Sequence, residues 1–482
     1  MSQETIIPLV VDLDGTLTPA DTLHESVLQL VKRSPLAFFR LLPALLKGKA
    51  AFKDALAAYA SIDPALLPYR RDLLDYLHLE KAKGRPIILA TAAHSSIAAR
   101  VAEHLGLFDQ VLATEPGRNL KGVTKLKLIR ESIGGEFVYA GDSKADLPIW
   151  EEAAAAILVG VPPSTRDRVE RNTPIERGFS KERTGAGVWL HALRIHQWLK
   201  NLLLFVPLLT AFSFMDIGKL ATMGIAFFAF SFAASATYIL NDLWDLESDR
   251  NHARKRNRPF ASAHLSIRTG LIAAALAFVM AFAMAAFVSN AFLLMLLLYV
   301  LITTAYSWKL KTLVLIDVIV LSLLYTLRIL AGSVAVEIPV SSWLLAFSVF
   351  IFLSLALVKR CVELVSFNQE GRKVTQGKDY RVSDLEVLWP MGIGASLSAV
   401  VVFGLFINAP ETQSRYETPQ LLWLIEVALI YWLGRIWIKT SRGEMHDDPV
   451  IYAMRDRGSL FIFLVIFTLM MMAHTLNLGA FL

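Results

Sequence analysis

The sequence predicts a chain of two parts. The first is an N-terminal α/β domain with a parallel sheet and a helical insertion; the second is an all-α bundle of nine transmembrane helices. Three observations carry this prediction. The chain has 482 residues, more than one ordinary compact domain accommodates. Hydrophobic residues make up 55% and charged residues 19%, against roughly 25% charged in a typical soluble domain, and the mean hydropathy is +0.49. The apolar residues are also unevenly placed. Up to about residue 185, short apolar runs alternate with polar helical patterns, whereas from Leu202 onward long apolar stretches are broken by brief charged loops. A wholly soluble protein is thereby excluded. The single cysteine, Cys361, excludes an internal disulfide framework and any multi-cysteine metal site. The net charge of +6 suits a membrane protein with basic loops on one side, and argues against nucleic acid as a partner.

The first element, Ile6 to Val11, is too short for a signal peptide and runs into Asp12 and Asp14. It reads as a buried parallel strand that ends at an active-site loop. Similar strands are expected at Pro86–Ala90, Gln110–Ala113, Glu136–Ala140 and Ala156–Val159, separated by helical patterns, which is the signature of a doubly wound sheet. Residues about 21–80 form a helical cap. Within it, Leu36 to Leu46 reads equally well as a segment lying against a bilayer and as core. The α/β domain is assigned to 1–170. The polar stretch Arg171 to Gly187 suggests a linker and amphipathic lead-in over 171–190, and the membrane domain follows over 191–482.

Nine segments are long enough to cross a bilayer, for which about 20 residues suffice. They lie near 201–217, 219–240, 268–287, 290–306, 313–335, 342–358, 387–408, 419–438 and 458–480. Loops after the even-numbered spans carry Arg250, Arg254, Lys255, Arg256 and Arg258, then Lys309 and Lys311. Lys359, Arg360, Arg372, Lys373 and Lys378 follow, and finally Lys439, Arg442, Arg455 and Arg457; the opposite loops offer little beyond Lys219 and Arg415. The positive-inside rule places these loops and the N-terminal domain in the cytoplasm, as in a multi-pass protein of the cytoplasmic membrane.

Asp12-Leu13-Asp14-Gly15-Thr16 follows the first strand directly. Two carboxylates two residues apart can share a Mg²⁺ ion while serving different roles, and Gly15 and Thr16 can donate backbone N–H groups to a phosphate. The plain alternative is an acidic turn. Thr91 at the end of the second strand, Lys125 at a helix start after Gly122, and Gly141-Asp142-Ser143 with Asp146 after the fourth strand weigh against that alternative. This ordered set, over residues about 5–165, resembles the haloacid dehalogenase (HAD) superfamily of aspartyl-phosphate phosphatases. The resemblance implies Asp12 as nucleophile, Asp14 as general acid and base, and Thr91 and Lys125 as phosphate ligands. It implies a Mg²⁺ site at Asp12, Asp142 and Asp146, with Lys121 a weaker candidate than Lys125 for the lysine. Specificity would lie in the cap.

In the second part, Asn241-Asp242-Leu243-Trp244-Asp245-Leu246-Glu247-Ser248-Asp249 lies at the end of the second span. Offsets of three and four put Asp242, Asp245 and Asp249 on one helical face, with Asn241 beside Asp245. Three like charges on one stripe repel, and Mg²⁺ bridging to a diphosphate would resolve the conflict. A solvated helix end neutralised by Arg250 and Arg254 is the alternative. Arg256, Arg258 and Pro259 follow, and Tyr306, Lys309 and Lys311 sit at the next boundary of the same side. Asp317 and Arg328 fall on nearly one face of the fifth span and are site candidates by their intramembrane position, with a structural interhelical pair as the alternative.

This constellation, over residues about 190–482, resembles the UbiA superfamily of intramembrane prenyltransferases. The segment Arg194 to Asn201 with Lys200, Arg258-Pro259, Tyr306 to Lys311, Lys359-Arg360, and the loop from Asp448-Pro449 through Asp456-Arg457 look like decaprenyl-phosphate phosphoribosyltransferases. Where aromatic prenyltransferases carry a second aspartate motif, this chain has the cationic Lys359-Arg360-Cys361-Val362-Glu363. One departure is Ala261-Ser262-Ala263-His264, where the resemblance leads one to expect a glycine soon after Arg-Pro. The resemblance implies attack of a polyprenyl phosphate on 5-phosphoribosyl pyrophosphate, with Mg²⁺ on Asp242, Asp245 and Asp249, and phosphate contacts from Lys200, Arg258, Lys309, Lys311 and Lys359. It implies a place in cell-wall (arabinogalactan) precursor synthesis. The HAD domain would then remove the 5-phosphate of the product, so that the chain uses one Mg²⁺ in each domain. Two other readings stay open: prenyl transfer from a prenyl diphosphate to an aromatic acceptor, and a non-enzymatic transporter or membrane scaffold. Homo-oligomerisation is also left open.

Overall fold

The short apolar runs of the N-terminal part become strands in the computed structural model, which describes residues 6–59, 61–115, 119–180, 185–369, 379–445 and 448–477. Six strands, β1 (Leu9–Val11), β2 (Ile87–His94), β3 (Gln110–Thr114), β4 (Val138–Gly141), β5 (Ala155–Val159) and β6 (Ile175–Phe179), form one parallel sheet in the order β3-β2-β1-β4-β5-β6. The two-residue period sends Leu9, Val11, Leu89 and Ala140 into one apolar layer and Val10, Ile88 and Tyr139 into the opposite one. Both faces are covered, which is why these strands read as continuous apolar runs. The strand order reverses between β1 and β4, and such a reversal opens a crevice at the strand C-termini. Val11 pairs with Leu89 on one side and Ala140 on the other, so the chain leaves the sheet at Asp12 and Asp142 side by side, next to Thr91.

β6 corrects the linker assignment, because it lies inside the polar stretch Arg171–Gly187 and carries the sheet past residue 170. It is an edge strand with little apolar content, and side-chain pairing supports it instead. Glu176 takes two hydrogen bonds from Arg85, at 2.6 and 3.0 Å, and one from the Tyr76 hydroxyl. The cap consists of helices Thr22–Arg33, Pro35–Leu46 and Lys49–Ala57, joined through Leu30, Ala37, Phe52 and Leu56. Asp21 starts the first of them by accepting from the amides of Leu23 and His24. Pro35–Leu46 packs on this core with one face and leaves Leu36, Phe39, Leu42 and Leu46 exposed on the other.

By their internal contacts the residues divide into two compact units, 1–193 with 239–273 and 194–238 with 274–482. The acidic segment therefore belongs to the same unit as the α/β domain.

Among the described residues, eight helices of 19 to 28 residues are long and apolar enough to cross a membrane, not nine. The expected first span, near 201–217, is the correction. Ile195–Phe205 is a 3-10 stretch and Val206–Thr210 a short helix. Pro207 can begin a helix but cannot continue one, and Phe212 takes a left-handed φ of 54° just beyond. A Cβ at Gly332 would lie 2.0 Å from the Leu204 carbonyl oxygen, so only glycine admits this segment against helix Ile316–Val336. The second unit packs alanines 226, 229, 233, 281 and 285 around Phe230, Phe292 and Tyr299, and small residues of this kind let helices approach closely. Trp437 Nε1 donates to Ser354 and Ser396 at 3.1 and 2.9 Å, joining three helices of the second core through one indole. Leu276, Val279, Phe287, Leu301, Val401, Val427 and Phe461 point outward and remain exposed. Helices of this length and apolarity make the chain a multi-pass membrane protein.

Candidate functional site

The crevice at the β1/β4 reversal gathers nearly all the residues expected there. Asp12 leaves β1 and accepts from the Leu13 amide at 2.8 Å, with Lys125 Nζ 3.0 Å away. Gly122, at φ 55°, precedes helix Val123–Ile133 and places Lys125 in its first turn. Lys125 donates to the Tyr139 hydroxyl at 2.9 Å, and Tyr139 donates to Asp146 at 2.9 Å. The Ser143 amide and hydroxyl hold the other oxygen of Asp146 at 3.1 and 3.0 Å. Thr16 Oγ1 reaches Asp142 at 3.4 Å. Asp14 turns toward the cap, where the Thr22 amide and hydroxyl donate to it at 2.9 and 3.1 Å. Thr91 is fully buried, its oxygen accepting from the Ala93 amide at 3.0 Å. The lysine of the cluster is thus Lys125 rather than Lys121.

Burial dominates the electrostatics here. It raises Asp12 above its ordinary value against the opposing pull of Lys125. It lifts Asp14 to about 7, helped by the charge of Asp21, and lifts Asp142 to about 7, helped by Asp12 and Asp146. Asp12, Asp142 and Asp146 each offer a carboxylate oxygen, and these oxygens lie within 4.8 Å of one another. Gly15, at φ 81°, passes so close that a Cβ would lie 2.2 Å from Asp142 Oδ2. Three converging carboxylates with only oxygen donors fit a hard divalent cation such as Mg²⁺. Among the described residues this is the one group of that kind.

The second aspartate set is arranged differently. The long helix Ile217–Trp244 ends before Asp245, which stands at the start of Leu246–Asn251 and accepts from Asn241 at 3.3 Å. Asp242 and Asp249 are buried, and both hold the Arg258 guanidinium, at 3.1 and 2.6 Å. The three acids do not form the compact group of the first set, and a guanidinium stands between two of them. Neutralisation by Arg250 is also not observed. That arginine pairs with Glu25 of the cap through two bonds, at 2.9 and 2.6 Å, and Gln29 donates to Glu247 beside it. Arg254 is exposed. Ala263, at φ 57°, takes the left-handed conformation that a glycine in this turn would adopt freely.

In the second unit, Lys200 and Lys359 converge on Asp448, which opens one of the loops that carry the resemblance but has no role among the expected site residues. Asp448 Oδ2 lies 2.7 Å from Lys200 Nζ and 3.1 Å from Lys359 Nζ, while the Tyr325 hydroxyl is 3.5 Å from Oδ1. Burial alone would raise the Asp448 carboxyl, but Lys359 and Lys200 hold it well below the usual carboxylate range. Its Pro-containing sequence announces a helix start, and although the loop is singled out in the sequence, nothing local shows that its aspartate bridges two lysines 159 residues apart.

Several other candidates have partners of their own. Asp317 pairs with Arg360 and accepts from Tyr380, fully buried. Arg328 donates to Asn201 at 3.0 Å, to Tyr299 at 3.0 Å and to the Leu324 carbonyl at 2.6 Å. The two therefore do not pair with each other. Asp456 caps helix Arg457–Thr475 and pairs with Arg435, and Arg457 is exposed. Tyr306 and Lys311 are half-buried and Lys309 is exposed. Arg372, Lys373 and Lys378 lie outside the described residues.

Comparison with known proteins agrees with both halves. Residues 202–465 match the UbiA prenyltransferase family, and residues 9–151 match haloacid dehalogenase-like hydrolases. The chain is 39% identical to uncharacterized protein y4nM of Sinorhizobium fredii, over 97% of this chain and 91% of that protein. It is 36% identical to nodulation protein NoeC of Azorhizobium caulinodans, over 56% of this chain and 88% of that one. It is 30% identical to decaprenyl-phosphate phosphoribosyltransferase of Mycolicibacterium smegmatis, over 57% of this chain and 88% of that one. With an apolar helical bundle matched over more than half its length and an α/β domain built around an aspartate cluster, the chain belongs to the UbiA prenyltransferase family and carries a HAD-like hydrolase domain on its N-terminal side.

Proposed function

We propose that the membrane part joins a polyprenyl phosphate of the decaprenyl type to 5-phosphoribosyl pyrophosphate, and that the HAD-like domain hydrolyses the 5-phosphate of the product. In the first step a phosphate oxygen of the lipid forms a bond to the anomeric carbon, the bond from that carbon to the pyrophosphate oxygen breaks, and diphosphate departs. In the second, an Asp12 oxygen attacks phosphorus while Asp14 protonates the departing ribose 5-oxygen. Asp14 then takes a proton from the water that cleaves the aspartyl phosphate, and inorganic phosphate leaves. Lys125 and Thr91 hold the phosphoryl oxygens, and Lys125 keeps Asp12 oriented at 3.0 Å. A Mg²⁺ ion held by Asp12, Asp142 and Asp146 would neutralise charge on the phosphoryl group. Asp242, Asp245 and Asp249 are assigned to the diphosphate end of the transfer. Arg258, Lys200 and Lys359 are assigned to phosphate contacts, as are Tyr306, Lys309 and Lys311. The basic loops, and with them both sites, are assigned to the cytoplasmic side.

The observation that carries this reading is the Lys200–Asp448–Lys359 cluster. Two ammonium groups meeting at one carboxylate leave a net positive charge, which a phosphorylated second substrate would answer and an aromatic acceptor would not. The relatives named decaprenyl-phosphate phosphoribosyltransferase support the same choice. The test is a lipid-product assay with purified protein, a polyprenyl phosphate and 5-phosphoribosyl pyrophosphate, run beside a prenyl diphosphate with 4-hydroxybenzoate. The parent should form lipid-linked ribose and the Asp12→Asn variant should accumulate its 5-phosphate. Asp245→Asn should lose the lipid product while still hydrolysing a soluble phosphate ester. Turnover of the aromatic pair alone, or equal phosphate release with and without Asp12→Asn, would overturn the proposal.

A further inference from the structure

The phosphatase cleft extends beyond the α/β domain. A cavity of about 290 Å³ is lined by Gly15, Arg70 and Asp142, and also by Trp189, His264, Ser266 and Thr269. Residues 263–266 end the connection between helices Leu246–Asn251 and Ile267–Val288, and 267–269 begin the second of these, within the same compact unit.

The connection is held in place by bonds that no local pattern requires. Arg250 is bound to Glu25 of the cap through both terminal nitrogens, and its Nε donates to the Ala261 carbonyl at 2.9 Å. One buried arginine therefore ties the cap to the turn that presents His264. That turn is closed by the Ala263 amide on the Phe260 carbonyl at 3.1 Å and the Leu265 amide on Pro259 at 3.0 Å. It keeps Ala263 left-handed, a conformation that costs an alanine about 1 kcal/mol and persists where the surroundings over-determine it. His264 Nδ1 is bonded to Ser262 Oγ, which orients the ring. In the same lining, Arg70 Nη2 donates to the Gly15 carbonyl at 3.3 Å, and its Nε is buried without a hydrogen-bond partner among the described residues.

We propose that residues 263–269 complete the phosphatase's substrate cleft, and that Arg70, Trp189 and His264 select a pentose bearing a terminal phosphate monoester. The volume sits at the low end of ligand clefts, roughly 300 Å³ upward, and takes one sugar ring rather than a nucleotide. Trp189 and Leu265 offer apolar wall, His264, Ser266 and Thr269 offer hydrogen bonds for hydroxyls, and Arg70 offers a planar cation for an anionic substituent. This inference rests on the reading of the HAD-like domain as a phosphomonoesterase. The pentose phosphate could come from the lipid product or from a free sugar phosphate, and the test separates these sources.

Full-length protein in detergent with Mg²⁺ is assayed for kcat/KM on ribose 5-phosphate and on 4-nitrophenyl phosphate. His264→Ala should lower the ratio of the first to the second about tenfold, chiefly through KM, and His264→Gln should recover part of it. Trp189→Phe, a milder change that preserves packing, should lower the ratio about threefold. Ratios within twofold of the parent in both His264→Ala and Trp189→Phe would overturn the proposal, as would a parent that hydrolyses only the nitrophenyl ester. In a second arm the 5-phosphorylated lipid replaces ribose 5-phosphate. A loss in both arms identifies a cleft that serves the lipid product, and a loss in the first arm alone identifies one for free pentose phosphate. Because the soluble arm needs no transferase activity, failure of Asp12→Asn to accumulate phosphorylated lipid would sink the proposed reaction order and leave this cleft standing.

Discussion

Asp12 and Asp146 meet an ammonium, whereas Asp242 and Asp249 meet a guanidinium, and the two sets differ accordingly. Lys125 stands 3.0 Å from Asp12 and 3.9 Å from Asp146 and leaves the three carboxylates of the first set converging within 4.8 Å. Arg258 lies between the two acids of the second set and bonds both through one nitrogen. A lysine is a compact point charge that can share a carboxylate group with a metal, while the forked, planar arginine occupies the space itself. The first set therefore leaves its carboxylates free to converge on a cation, with a lysine at the edge. The second is held together by its own arginine.

The difference can be broken from either side. Replacing Lys125 by Met should cut phosphate release from 4-nitrophenyl phosphate by about 10²–10³-fold, the usual cost of losing one charged group that stabilises a transition state. Restoration of more than a tenth of the parent rate by Mg²⁺ would count against that role. Arg258→Ala should lower thermal stability in metal-free buffer by about 3 kcal/mol, because two buried carboxylates lose their partner. Millimolar Mg²⁺ should recover most of that loss in this variant and little in the parent, and a melting temperature indifferent to the ion would show that the second set cannot hold a metal.

Proton competition sharpens the contrast further. Burial lifts Asp14 and Asp142 to about 7 in the folded protein, from an ordinary value of 3.8. A carboxyl raised on folding contributes stability that is fully present below its unfolded value and is lost as pH rises through its folded value. Metal-free protein should therefore lose thermal stability from about pH 4 to pH 7 through these groups, and Asp142→Asn should flatten that slope. Mg²⁺ affinity at the first set should rise about tenfold per pH unit until Asp142 is ionised, because binding releases its proton. A pH-independent affinity between 5.5 and 7, measured by calorimetry, would contradict this. The smallest effect is expected at Ala263. Ala263→Gly relieves the left-handed strain and should stabilise by about 0.5–1 kcal/mol, read as a rise in melting temperature.

Much of the first site could be read in advance. Asp12 and Asp142 each follow an apolar run, and a parallel sheet brings strand ends together whatever lies in the loops between. β6 escaped because Ile175–Phe179 is an edge strand held by Arg85 and Tyr76 through Glu176, not by apolar residues of its own. The first expected span escaped because its apolar length conceals Pro207, which begins the short helix Val206–Thr210 and cannot sit inside a longer one. Helical spacing put Asp317 and Arg328 on one face correctly, yet each found its partner on another helix, in Arg360 and Asn201.

Sequence alone determined where strands end in acids, which stretches are apolar enough to cross a bilayer, and which residue types could handle phosphate and a divalent ion. These follow from local pattern, because a strand or a span is specified by residues adjacent in the chain. Only the tertiary structure decided which charge answers which. Arg250 took Glu25, Arg258 took the aspartates, and Asp448 took two lysines, over separations of 225, 9 and 16, and 89 and 248 residues. Coulomb attraction is blind to chain distance, so a buried charge pairs with whichever opposite charge packing leaves beside it.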